Sequence, residues 1–320
     1  MLEYIYFIAI SVVTSLLATF FLYPRLKRVG MVGLDINKPD NPEVAEMGGL
    51  AIIAGATAGM LLAIFFQTFT GLSFNLTFIM AALITIQAVA FIGLVDDLVD
   101  IPQRIKAFVP LFAAIPLIVV KAAGSTTLAI PFFGVIDFGL VYIFALIPLA
   151  IAVCSNLTNM LAGYNGMEAG MGIIIFATLT ALGINSGRVE MSIISVSMLG
   201  ALVGFYYFNK YPAKVFPGDV GAFTIGCAVA SAVIIGNFES AGLILMIPYV
   251  MDFFVKAKNK FPRTYQDIKD GKLYPKEGKV VGLVHVVMKK FNGISESNLT
   301  LFFIGLETLF AIITLVIYLK

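Results

Sequence analysis

Two adjacent carboxylates, Asp96 and Asp97, close an apolar run over residues 74–95. If that run is a helix, the pair occupies its C-terminal end, where free carbonyls already carry negative partial charge and further negative charge is repelled. Neighbouring carboxylates in a low-dielectric setting do not both ionise cheaply without a cation, and they titrate as a coupled pair. Positive charge is therefore expected close by. Mg²⁺ would supply it, as a hard ion that takes oxygen ligands from one or two carboxylates, substrate phosphates and water. Arg104 and Lys106, a little further along the chain, would supply it equally well, and composition alone does not choose between the two.

Polar residues gather at three further places beside apolar runs. Asp219 lies between Gly218 and Gly221 at the head of one run, where an isolated Asp most often caps a helix. Residues 155–170, read as a loop, hold Asn156, Asn159 and Gly163 at helical spacing, followed by Asn165, Gly166 and Glu168. Small residues at helix crossings explain the glycines there but not the asparagines. Amides on one face, with Gly163 and Gly166 admitting a ligand close to the backbone, suit nucleotide recognition. An earlier loop carries Gly33, Leu34, Asp35, Ile36, Asn37, Lys38 and then Glu46, a spacing that also fits a plain polar linker with a helix cap. The longest loop, residues 258–298, contains Arg263, Lys272 and other basic groups that could hold a diphosphate, Arg through its planar donor fork. Within it, residues 280–288 are apolar but too short to span, which predicts an interfacial segment with Lys289 and Lys290 at the headgroups. His285, the only histidine, is read there as a packing residue.

The elements that must carry these groups follow from composition. With 60% hydrophobic and 12% charged residues in 320, and a mean hydropathy of +0.98, the apolar side chains exceed what one soluble core can bury. The chain reads as an all-α, polytopic membrane protein forming one domain over residues 1–320. Spans of membrane-crossing length fall at 3–23, 47–66, 75–95, 107–122, 139–155, 166–184, 190–208, 220–236, 240–257 and 299–319, about ten in all. The first lacks a basic start and a cleavage site and is read as a retained helix. Alternate connections hold Arg25, Lys27, Arg28, Lys38, Arg104, Lys106, Lys210, Lys214 and the basic residues from Lys256 to Lys290, against Lys121, Arg188 and Lys320 on the other side. Basic loops stay in the cytoplasm, so both termini are expected outside and the polar clusters on the cytoplasmic face. Cys154 and Cys227 lie in apolar runs and argue for neither a disulfide framework nor a metal site.

Taken in order, these motifs resemble the polyprenyl-phosphate N-acetylhexosamine-1-phosphate transferase superfamily over nearly the whole chain. Residues 156–170, with Ala169-Gly170 where bacterial cell-wall members have Asp-Gly, look most like its archaeal and eukaryotic dolichyl-phosphate GlcNAc-1-phosphate transferases. Pro262-Arg263 followed by Gly271-Lys272-Leu273, and Asn298-Leu299-Thr300-Leu301, point the same way. The His-rich signature of the bacterial relatives is absent, and Thr264 and Tyr265 stand where a second Arg is expected.

The resemblance implies catalytic roles for Asp96, Asp97, Asp219 and Lys106, with Asp219 and Asn159 binding Mg²⁺, or Mn²⁺ in its place. It implies nucleotide contacts from Asn165, Glu46 and Gly163, and phosphate or sugar contacts from Arg263, Lys38 and Asp35. The implied reaction moves GlcNAc 1-phosphate from UDP-GlcNAc to a polyprenyl or dolichyl phosphate within the bilayer of a cell membrane or an ER-type membrane. A homodimer is implied too, and no nucleic acid. Two other functions fit the composition: a bacterial-type undecaprenyl-phosphate transferase, and a transporter of nucleotide sugars or lipid-linked sugars. Glu307, within the last span, is the feature that speaks for transport; Asp252 is ambiguous.

Overall fold

The computed structural model describes residues 2–121, 125–130, 134–262 and 266–319. Apolar runs place no water beside their own peptide groups, and a helix satisfies those groups internally. The chain accordingly forms α1 (Leu2–Arg28), α2 (Gly49–Thr70), α3 (Leu76–Val99), α4 (Gln103–Ala113), α5 (Ile115–Lys121) and α6 (Ile147–Met160), the last entered through a π-helical turn at Tyr142–Leu146. There follow α7 (Met167–Asn185), α8 (Val189–Asn209), α9 (Gly218–Gly236), α10 (Glu239–Leu245), α11 (Ile247–Lys258), α12 (Leu283–Lys290) and α13 (Glu296–Tyr318). Among the described residues nine segments are long and apolar enough to cross a membrane, and α10 with α11 makes a tenth, bent by 59°. The protein is a polytopic membrane protein.

Three boundaries differ from expectation, each for a local reason. The fourth span begins at Gln103, so Arg104 and Lys106 lie inside α4 rather than ahead of it. It breaks between α4 and α5, where Pro116 has no N–H to continue the ladder. Residues 155–160, read as loop, complete α6, which leaves Asn156 and Asn159 on a helix and Gly163 beyond its end. The connections also hold short antiparallel pairs that an all-α reading omits: β1 (Val32–Leu34) with β2 (Glu43–Ala45), β3 (Thr127–Ile130) with β4 (Gly134–Asp137), and β5 (Gln266–Lys269) with β6 (Lys272–Pro275). Strands of three or four residues leave no periodic signature.

The centre of the bundle is α9, whose apolar window is 89% buried against 22% for α1. It packs on α2, α3, α6 and α8. Phe20, Phe21, Leu301 and Val316 are exposed on the outer helices α1 and α13, the surface expected to meet lipid. The α12 segment packs its apolar side onto the protein. Leu283, Val284, His285, Val287 and Met288 are buried against the rest of the protein. Asp252 helps to hold it: its carboxylate accepts a hydrogen bond from the Leu283 N–H (2.7 Å) and pairs with Lys256 (2.9 Å). Asp252 thus caps α12 from α11. Glu307 is fully buried, and neither of its carboxyl oxygens has a hydrogen-bond partner among the described residues.

Candidate active site

The conflict at the end of α3 is resolved by two different positive groups. The side chain of Asp97 accepts hydrogen bonds from the backbone N–H groups of Asp219 (2.8 Å) and Val220 (3.1 Å) in the first turn of α9. No side chain of its own segment caps α9 at Pro217, so Asp97 supplies the cap from another helix and meets the positive end of the helix dipole. The approach needs a bare backbone on α3: a Cβ at Gly93 would stand 2.6 Å from Val220 Cα and 2.7 Å from the Asp219 carbonyl oxygen. Asp96 points elsewhere. It accepts from the Ile101 N–H (2.8 Å) and pairs with the Lys106 ammonium, which pairs with Asp219 as well. Lys106 is 7% exposed, and its ammonium also lies 5.4 Å from the centre of the Phe223 ring.

The first loop docks onto the chain just ahead of α9. Phe216 N–H donates to the Ala45 carbonyl (2.7 Å), Gly48 N–H to the Phe216 carbonyl (2.8 Å) and Gly49 N–H to the Pro217 carbonyl (2.8 Å). Between this seam and the 161–166 connection lies a cavity of roughly 350 Å³, within the usual range for small-molecule sites. Asp219, Asn159, Glu46, Gly163 and Asp35 are on its wall, so five sequence-predicted residues from three segments meet there. Gly163 needs to be glycine, with φ at +113°, and its N–H donates to Glu168 Oε1 (2.9 Å). The other Glu168 oxygen is buried with no hydrogen-bond partner among the described residues, on the same wall. Sequence reasoning passed over Glu168 because an acid in the first turn of a helix is ordinary.

Asn165 differs from expectation. It is 1% exposed and stands behind the cavity wall. Its Nδ2 donates to Asp35 (3.1 Å) and Glu296 (2.7 Å), and its Oδ1 accepts from the Ala213 N–H (2.7 Å) and from Lys38 (3.2 Å). Its amide is spent on the protein, with nothing left for a nucleotide in this arrangement. Lys38 pairs with Asp35 and lies 3.5 Å from Glu296, so it neutralises carboxylates where a phosphate contact was expected. Nothing in the sequence marks Glu296: after Ser295 it reads as a first-turn acid behind a helix cap. Arg263 lies outside the described residues.

The donor set suits a hard divalent ion. Lys106 pairs with Asp96 and Asp219 while Asp97 takes the α9 amides, so the three carboxylates have one ammonium among them, a deficit of two positive charges when all are ionised. Asp219 is 29% exposed, and no protein group among the described residues takes up the side-chain amide of Asn159. Both offer oxygen, the ligand type of Mg²⁺ and Mn²⁺.

Burial raises the Glu46 carboxyl above the ordinary carboxylate range, and the negative charge of Asp97 adds to the rise. A carboxyl that holds its proton more tightly when folded costs stability as pH climbs from its unfolded value through its folded one. In metal-free buffer, wild-type thermal stability should fall over that interval, starting at about pH 4, and Glu46→Gln should flatten the fall. Superimposable melting profiles for the two proteins would show that Glu46 titrates normally.

A second cavity, about 360 Å³, is almost wholly apolar and lies along α6, α9 and the α10–α11 bend. Leu157 lines it, one helical turn or less from Asn159 on the polar wall.

Comparison with known proteins adds the following. Residues 79–237 match the family model for glycosyl transferase family 4. A protein of Saccharolobus solfataricus, provisionally named a UDP-N-acetylglucosamine–dolichyl-phosphate N-acetylglucosaminephosphotransferase, is 38% identical over 97% of this chain and 95% of its own length. Proteins carrying that name without qualification are 28% identical in Dictyostelium discoideum, over 77% of this chain and 70% of the relative, and 26% identical in Saccharomyces cerevisiae, over 90% and 81%.

Proposed function

From the premise that the chain belongs to glycosyl transferase family 4, we propose that it transfers GlcNAc 1-phosphate from UDP-GlcNAc to a dolichyl-type polyprenyl phosphate. An oxygen of the lipid phosphate forms a bond to the β-phosphorus of the donor. The bond from that phosphorus to the bridging oxygen breaks, and UMP leaves with the electron pair, yielding a lipid-diphospho-sugar. The observation that carries the reading is the gathering of three carboxylates, Asp96, Asp97 and Asp219, round the one Lys106 ammonium beside a polar cavity, with Asp219 and Asn159 on its wall.

Asp219 and Asn159 would hold Mg²⁺, which offsets the charge of the diphosphate when bound. Lys106 fixes the Asp96 and Asp219 carboxylates and keeps positive charge beside the phosphates. Asp97 sets the position of Asp219 through the first turn of α9. A phosphate monoester has its second pKa near ~6 and is largely dianionic at neutral pH, so the acceptor needs no strong base. Glu46, Gly163 and the second Glu168 oxygen, which has no partner among the described residues, are the groups available to the nucleoside and sugar. The apolar cavity along α6, whose lining includes Leu157 two residues before Asn159, suits the first isoprene units of the acceptor.

The distribution of basic residues supports a cytoplasmic active site with both termini outside, in a cell membrane or an ER-type membrane. Detergent-purified protein given UDP-GlcNAc, polyprenyl phosphate and Mg²⁺ should release UMP in step with lipid-diphospho-sugar. EDTA should stop the release, and Mg²⁺ or Mn²⁺ should restore it. No UMP from the complete mixture would defeat the assignment; release unaffected by EDTA would defeat its metal.

A further inference from the structure

We propose that Glu296 is a positioning residue for donor binding: from the last helix it fixes the two loops that wall the polar cavity, and it acts on the UDP-sugar through them. This rests on reading that cavity as the UDP-sugar site. Glu296 itself is 4% exposed and does not line the cavity. Its Oε1 accepts three hydrogen bonds, from the Asn165 backbone N–H (2.8 Å), Asn165 Nδ2 (2.7 Å) and Asn37 Nδ2 (3.1 Å). One turn further along α13, the Thr300 hydroxyl donates to the Asn165 carbonyl (3.1 Å). Helix α13 thus grips Asn165 by its N–H, its side chain and its C=O.

The grip reaches the wall by short routes. Asn37 donates from the same Nδ2 to the Gly163 carbonyl (2.8 Å), joining the first loop to the 161–166 connection. Asn165 in turn holds Asp35, Lys38 and the Ala213 N–H, the last of these on the segment that leads into Asp219. Asp35, Asn37 and Gly163 all line the cavity. Without the Glu296 carboxylate, the Asn165 amide and Lys38 lose a shared acceptor, and two wall segments lose their common anchor. The metal-side carboxylates Asp96, Asp97 and Asp219 form no hydrogen bond or ion pair with Glu296 among the described residues, so the chemical step should be spared. The consequence falls on the affinity for the nucleotide sugar.

The test is steady-state kinetics on purified full-length protein, with binding of radiolabelled UDP-GlcNAc measured in parallel by equilibrium dialysis. Glu296→Ala should raise the KM for UDP-GlcNAc by about tenfold or more, as expected for losing several buried charge-assisted hydrogen bonds. Its kcat should stay within about threefold of wild type, and its KM for polyprenyl phosphate should not move. Glu296→Gln, which keeps an acceptor oxygen for Asn165, should recover most of the lost affinity. Thr300→Val should shift the donor KM in the same direction by a smaller factor, and it carries the test together with Glu296→Gln if the alanine variant does not fold. An unchanged donor KM in Glu296→Ala, or in Thr300→Val where the alanine variant does not fold, or a fall in kcat at constant KM, overturns the positioning role. A wild type that binds no UDP-GlcNAc overturns the reading of the cavity itself.

Discussion

Lys106→Met is expected to destabilise the protein by about 3–5 kcal/mol and to lower UMP release by at least about 10²-fold. Lys106 is the ammonium paired with both Asp96 and Asp219, and it is 7% exposed. Removing it leaves buried carboxylates without their counter-ion, a far larger penalty than loss of a surface ion pair. Met approximates the length of the stem and keeps the contact with Phe223 apolar, so a cavity does not confound the result. The variant also enlarges the local charge deficit, and added Mg²⁺ should therefore raise its melting temperature more than that of wild type. Thermal unfolding in detergent, with and without Mg²⁺, reads both effects. A variant that melts and turns over like wild type would mean that Asp96 and Asp219 are neutral or solvated and that the cluster has no electrostatic task.

The spans were legible because a membrane helix advertises itself by length and hydropathy. All ten expected windows overlap described helices, including 240–257, which is bent by 59°. Asp219, Asn159, Glu46 and Asp35 were legible as polar residues beside apolar runs, and the fold brings them to one cavity. What could not be read is which partner each charge takes. The Asp96–Asp97 pair called for positive charge, but nothing in the spacing says that one acid takes an ammonium and its neighbour takes the amides of a helix far along the chain. Asn165 shows the same limit: an Asn between glycines suits ligand contact, yet its amide is used up by Asp35, Glu296, Ala213 and Lys38. Glu296 and Glu168 carry no local signal beyond helix-start acidity, since their significance comes from burial and long-range partners. The strand pairs were missed because short strands in polar connections show neither alternation nor an apolar face.

Asp97→Ala should reduce turnover by about 10²-fold or more and cost about 1–2 kcal/mol of stability, the range for loss of a helix cap. The first figure is large because the cap and the proposed metal ligand are adjacent: the N–H groups that Asp97 accepts belong to Asp219 and Val220 themselves. Uncapping this turn frees the backbone that carries Asp219 to the cavity wall. Asp97→Asn keeps one acceptor oxygen but turns an NH₂ group toward a second N–H, so it should lie between the alanine variant and wild type in stability. A double-mutant cycle separates positioning from chemistry. If Asp97 works through Asp219, then once Asp219→Ala has removed the ligand, adding Asp97→Ala should lower turnover little further, giving a strongly non-additive pair. Additive losses would instead assign Asp97 a contribution of its own, such as taking the acceptor's proton, and near-normal turnover in Asp97→Asn would remove it from the chemistry altogether.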